Sequence, residues 1–455
     1  MLKEKLNRNE LISIASMLFG LFFGAGNLIF PIYMGQLAGA EMFKAVSGFL
    51  ITGVGLPLLG VIAIGISKSN GLIELSGKVG KAYSLFFTCA LYLTIGPFFA
   101  IPRCATVPFT VGVEPMLVGA NVKKNLALAV FSLVFFAAVL FFSLYPGKIL
   151  MWVGKILNPL FLIFLGVLVV TALINPMGDI SDIAPQGAYA QNAFSTGFIE
   201  GYNTMDALAG LAFGIVVVNV IRGLGISKPE SVAKNTVKSG ILSCLIMAVI
   251  YIAVTVVGAQ SRGVYGVCSN GGEAFALVAE HYFGKAGALI LAFTVLLACL
   301  KTAVGLVTSC AETFVLLFPK ALGYRAWAVV FSVCSFAFAN LGLDAIVKYS
   351  LPVLMLLYPL AITLILLGIF GKFFGNSRYV YGFVTAFTLF ASVFDFLGAL
   401  PENILSALRL SNTVEIVRNA IVLNEYGLGW VCPSAIGLVI GLIAMRVCKS
   451  DKAST

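Results

Sequence analysis

Long apolar runs alternate with short polar connections along the chain, and the runs have the length of a bilayer core. A helix crossing that core needs about 20 mostly apolar residues. Twelve windows meet this description, predicting spans over residues 10–33, 43–66, 80–101, 125–145, 149–174, 196–221, 238–260, 286–311, 326–343, 345–370, 379–400 and 428–447. Two connections are longer than the others. Residues 261–284 hold an amphipathic run from Glu273 to Phe283, which reads equally as a surface helix, a lid or a solvated loop. Residues 401–427 alternate charge with Leu and Ile, as an interfacial helix or a solvated loop does. No stretch reads as a soluble domain, and the first run lacks the small-residue cleavage site of a leader.

Two of the runs are interrupted. The first carries Gly24-Ala25-Gly26-Asn27 in its middle, and the sixth carries Gly201-Tyr202-Asn203-Thr204-Met205-Asp206 ahead of the apolar stretch 211–221. Lipid offers no hydrogen-bond partners, so irregular backbone at this depth is either packed in protein or lines a cavity. The breaks fall five spans apart, the sequence pointer to a transporter built from inverted repeats. On that reading residues 10–174 and 196–370 are the repeats, and 379–447 form two peripheral helices. The expected fold is all-α and polytopic, a 5+5 inverted repeat with two extra helices and with helices 1 and 6 broken.

Half-helix ends also suggest a ligand. Amides exposed at the start of a half-helix suit a carboxylate, and unpaired carbonyls at the preceding end suit a small cation or an ammonium group. A zwitterionic amino acid matches both. Its side chain needs an apolar lining, for which Phe22, Met205 and the aromatic residues of the third span are candidates. The two prolines beside Gly96 in that span, Pro97 and Pro102, predict a kink.

Composition and charge narrow the class. Of 455 residues, 60% are hydrophobic and 11% charged, with a mean hydropathy of +1.03, more apolar surface than a soluble domain can hide. A net charge of +10 would raise the question of nucleic acid in a soluble chain. Here the basic residues gather in short connections, so lipid is the expected partner and nucleic acid is not. Of 29 Lys and Arg, 18 fall on the side of the N-terminus, including Lys68, Lys148 and Lys228. Nine, including Arg103, fall on the opposite side, while Lys155 lies near an inner helix end and Lys301 stays within the membrane. The positive-inside rule then places both termini in the cytoplasm of a multi-pass protein of the inner (plasma) membrane. Nine cysteines and one histidine show no metal-ligand or disulfide spacing, and catalysis has little to work with. An enzyme is therefore not expected.

Three ionisable residues stand out, since acids and bases within spans usually face a cavity. Asp206 lies deep in the sixth span. Glu200 reads equally as a cavity acid or as an acid at the interface. Lys301, in Ala298-Cys299-Leu300-Lys301-Thr302, sits near the middle of an otherwise uncharged span. It is either a structural lysine paired with a carbonyl or an acid such as Asp206, or a built-in cation or proton carrier beside the substrate.

Four motifs in order resemble the branched-chain amino acid:cation symporter family of BrnQ-type carriers. They are Gly24-Ala25-Gly26-Asn27 with Phe30-Pro31, Gly96-Pro97-Phe98-Phe99-Ala100-Ile101-Pro102-Arg103, Gly201 to Ala209, and Thr302-Ala303-Val304-Gly305-Leu306. The resemblance spans nearly the whole chain. It implies a LeuT-like fold and import of leucine, isoleucine and valine with sodium. The two breaks are the expected substrate site, with contacts at Gly24, Ala25, Gly26, Asn27, Gly201, Tyr202, Asn203, Thr204, Met205 and Asp206, and the resemblance sets Asn27 near the substrate carboxylate or a second ion. Carried over by motif, the carbonyls of Gly20, Phe23 and Ala298 and the Thr302 hydroxyl are the expected sodium ligands. Lys301 stands where a second hydroxyl is expected, so it becomes the coupling candidate, with sodium favoured over a proton. Proton-coupled or uncoupled exchange, and a non-transporting amino-acid sensor, are the competing expectations.

Overall fold

The computed structural model describes residues 4–117, 123–144, 158–226, 228–407 and 409–453, except Lys68 and Asn70. It is all-helical among these residues. A helix coincides with every expected span; the fifth is described from Asn158 onward, so its predicted start, together with Lys148 and Lys155, lies outside the described residues. Nine helical stretches are long and apolar enough to cross a membrane, and Leu162–Ile174 and Tyr324–Ala339 are shorter apolar helices.

The first span is broken as expected, into Arg8–Phe22 and Gly26–Ala38. The Phe23 backbone is extended (φ −74°, ψ 97°), ending the first half-helix. The sixth span breaks through a tight turn, Gly201–Thr204, between Tyr189–Glu200 and Asp206–Gly223. Met205 closes that turn with a left-handed backbone (φ 62°), a conformation costing a non-glycine residue on the order of 1 kcal/mol.

The third span differs from its predicted range, 80–101. It continues from Lys81 to Leu117, because π-turns at Thr94–Phe98 and Phe109–Val113 absorb the prolines instead of ending the helix. The run after residue 261 is also part of a longer helix, Gly271–Leu317, kinked at Gly284 (φ 60°). Its first turns bury Gly271, Gly272, Ala274 and Phe275, so this segment is packed rather than merely superficial. The predicted interfacial stretch holds two short helices, Glu402–Ala407 and Ser411–Ala420.

Close backbone approach fixes where the breaks sit. Spans 2 and 6 run against each other over both halves of span 6. A Cβ on Gly197 would lie 1.9 Å from the Ala45 carbonyl oxygen, and one on Gly48 would lie 2.1 Å from that of Phe194. Glycine is required at both, and small residues are how helices approach closely in lipid. The second half of span 1 packs in the same way on span 7, which places Tyr251 beside the first break. Spans 11 and 12 pack on one another and reach the remainder chiefly through span 10, as peripheral helices do.

Candidate functional site

The two breaks meet at one cavity. Gly24, Ala25, Gly26 and Asn27 line it from span 1, Thr204, Met205 and Asp206 from span 6, and Thr302 from span 8. A Cβ on Gly24 would lie 3.2 Å from Thr302 Cγ2, which shows how closely span 8 faces the first break. Apolar lining comes from Leu21, Phe22, Ile95, Met205, Phe213 and Leu306.

Asn27 holds the breaks together. Its Oδ1 accepts the Gly24 N–H at 2.7 Å, while its Nδ2 donates to the Asp206 carboxylate and to the Tyr251 hydroxyl. Tyr251 also donates to Asp206 Oδ2 at 3.3 Å, so residues of spans 1, 6 and 7 form one buried cluster. The Asp206 N–H is donated to the Thr204 hydroxyl at 3.3 Å, holding the start of its half-helix. A continuous helix would give the Gly24 N–H to the Gly20 carbonyl, four residues back. Because Asn27 takes that N–H, the Gly20 carbonyl loses its usual helical donor.

Some expected residues lie elsewhere. Gly201 faces span 2, where a Cβ would stand 2.0 Å from Thr52 Oγ1. Tyr202 is buried and stacked on Tyr358, with ring centroids 4.0 Å apart. Neither is among the residues lining the cavity. Asn203 reaches it only indirectly, through a carbonyl that accepts Arg103 Nη1 at 2.7 Å. Gly20, Phe23 and Ala298 are not lining residues either, although the Ala298 carbonyl accepts the Thr302 hydroxyl at 3.1 Å. Lys301 is not among the lining residues, while its neighbour Thr302 is. The aromatic residues of span 3 are not the apolar lining: Phe98 packs on Phe99 and Phe338, and Tyr92 donates to the Ala212 carbonyl. Ile95 and Ala100 take that place. Glu200 borders a second cavity together with Phe30, Tyr33, Asn203, Asp344 and Lys348.

Two residues absent from the expected set meet it: Tyr251 bonds the Asn27–Asp206 pair without lining the cavity, and Arg103 lines it. Tyr251 had no distinguishing signal in an apolar run. Arg103, assigned from its position to an outer helix end, is 2% exposed and lines the cavity, because span 3 continues past it. Its guanidinium lies 5.4 Å from the centroid of the Phe30 ring.

Two broken helices facing a shared cavity, inside an all-helical membrane-spanning chain, define a LeuT-like fold. Solved structures agree on the fold. Mhp1, a nucleobase-cation-symport-1 family transporter in a closed conformation with bromovinylhydantoin bound, gives a TM-score of 0.62 at 15% identity, covering 96% of this chain and 92% of that one. MhsT in complex with L-phenylalanine gives 0.50 at 14% identity, covering 96% and 98%.

Sequence comparison defines the family. The family described as branched-chain amino acid transport protein matches residues 7–448, and the chain belongs to it. The branched-chain amino acid permease BrnQ of Lactobacillus delbrueckii subsp. lactis is 50% identical over 451 residues, covering 99% of this chain and all of that permease. BrnQ of Bacillus subtilis (strain 168) is 41% identical over 442 residues, covering 97% and 98%. These relatives are permeases, not enzymes.

Proposed function

We propose that this protein imports leucine, isoleucine and valine across the plasma membrane by alternating access around the cavity between spans 1, 3, 6 and 8, with both termini cytoplasmic. The observation that carries the reading is the lining itself: two half-helix starts and a buried acid beside apolar side chains. In this scheme the first amides of Gly26–Ala38, which have no acceptor within their own helix, meet the substrate carboxylate. Asp206 and backbone carbonyls at the breaks meet its ammonium group.

Import is coupled to a cation, with sodium favoured over a proton. Support comes from the Gly20 carbonyl, released from helical bonding by Asn27, and from Thr302 standing against Gly24. The Phe23 and Ala298 carbonyls complete the proposed ligand set. Sodium is carried here as a coupling ion. The test is uptake of radiolabelled leucine into proteoliposomes under imposed sodium or proton gradients. A sodium gradient is expected to drive accumulation. Accumulation under a proton gradient alone would assign the coupling to protons, and absence of uptake under either would refute symport.

A further inference from the structure

Resting on that reading of the cavity, the geometry points to Arg103 as the residue that binds the substrate carboxylate and so selects zwitterionic substrates. Nothing in the family motif requires this assignment. It follows from where the side chain lies.

A charged side chain at membrane depth is costly and persists where it faces a cavity or a partner. Arg103 is 2% exposed, and it lines the same cavity as the Gly24–Asn27 break and Asp206. A guanidinium carries five N–H donors in a rigid fork. The Asn203 carbonyl takes one, at 2.7 Å, and the Phe30 ring supports the guanidinium at 5.4 Å. Both supports come from the broken helices, Phe30 from span 1 and Asn203 from the turn in span 6. They orient the group and carry no formal charge of their own, and the acids that act on it electrostatically are Asp206 and Glu200.

The cavity therefore holds one fixed cation, Arg103, and one acid, Asp206, on its lining. A zwitterionic amino acid brings the complementary pair. Its carboxylate matches the fork of Arg103, the geometry in which arginine gives its strongest hydrogen bonds. Its ammonium group matches Asp206. An amine without a carboxylate adds a second cation beside the guanidinium with one lining acid to balance the two, and a fatty acid without an amine adds a second anion beside Asp206, in a site of low dielectric. The pair excludes both classes while leaving apolar side chains to be sorted by shape.

The experiment is calorimetric binding to the purified full-length protein, comparing leucine with leucinamide, which keeps the amine and side chain but lacks the carboxylate. Wild type is expected to prefer leucine strongly. Arg103→Gln is expected to narrow the leucine-to-leucinamide ratio by about 10- to 100-fold, the worth of a charge-assisted hydrogen bond, by weakening leucine alone. Arg103→Lys, which keeps the charge without the fork, is expected to fall between them. An unchanged ratio would overturn the assignment. So would a parallel loss of both ligands, the mark of a residue that merely holds spans 1, 3 and 6 together. If wild type binds no leucine, the proposed substrate fails while the carboxylate role does not. The same comparison then runs with other amino acids and their amides, and absence of any preference for the acid over its amide refutes the role of Arg103.

Discussion

Removing the side chain of Asn27 tests whether the site is assembled by the contact between its two breaks. Asn27→Ala deletes an acceptor for the Gly24 N–H and the donor to both Asp206 and Tyr251. Asp206 keeps the Tyr251 hydroxyl at 3.3 Å, but the Gly24 N–H loses the Asn27 acceptor. Hydrogen bonds between membrane helices average about 0.6 kcal/mol each, whereas a stranded buried polar group costs about 1–3 kcal/mol. Two lost inter-helix bonds and one stranded amide therefore amount to about 2–4 kcal/mol. Part of this is expected as a lower melting temperature and part as weaker leucine binding, because the amides of the first break are no longer held in place. Asn27→Asp separates the two effects. It keeps the acceptor for Gly24 but sets a second carboxyl against Asp206, so it should spare the backbone turn and disturb the acid cluster. A double-mutant cycle with Tyr251→Phe measures the coupling within the cluster. If Asn27→Ala retains wild-type melting and leucine affinity within twofold, the cluster does not organise the site, and the reasoning fails.

Two further expectations follow from specific contacts. Gly197→Ala drives a methyl group into the Ala45 backbone, with its carbonyl oxygen 1.9 Å away, and neither helix can yield locally. We expect a loss at or above the upper end of the usual 1–3 kcal/mol for overpacking, read as a collapse in monodisperse yield; a normal yield and melting temperature would contradict the packing of spans 2 and 6. At the proposed ion site, Thr302→Ala should raise the sodium concentration for half-maximal leucine uptake by at least about 10-fold, with Thr302→Ser close to wild type. Lys301→Thr should strengthen sodium dependence if its ammonium group competes for the ion's place, and unchanged dependence would remove Lys301 from the coupling mechanism.

The sites of chain breakage were legible because glycine and asparagine inside an apolar run conflict with the demand that lipid places on the backbone. Gly24 to Asn27 and Gly201 to Asp206 were found on that ground alone. Which side of each break faces the cavity was not legible. The turn at Gly201–Thr204 sends Gly201 toward span 2 and Tyr202 toward Tyr358, leaving Thr204, Met205 and Asp206 on the cavity. Likewise Lys301 and Thr302 are neighbours in sequence but sit about 100° apart around a helix of 3.6 residues per turn, and Thr302 alone lines the cavity. Arg103 was misplaced because the predicted span stopped at residue 101, whereas the helix runs on through π-turns to Leu117.

By itself the sequence determined that this chain crosses a membrane many times, that spans 1 and 6 cannot be continuous, and that its family carries amino acids. Hydrophobic length and the need to satisfy every backbone group in lipid are local constraints, and local constraints are written in consecutive residues. The tertiary structure alone decided that Tyr251, 224 residues from Asn27, completes the cluster at the breaks, and that Arg103 stands inside the cavity rather than at a helix end. Those outcomes depend on how helices rotate and approach through glycine contacts, which no single span encodes.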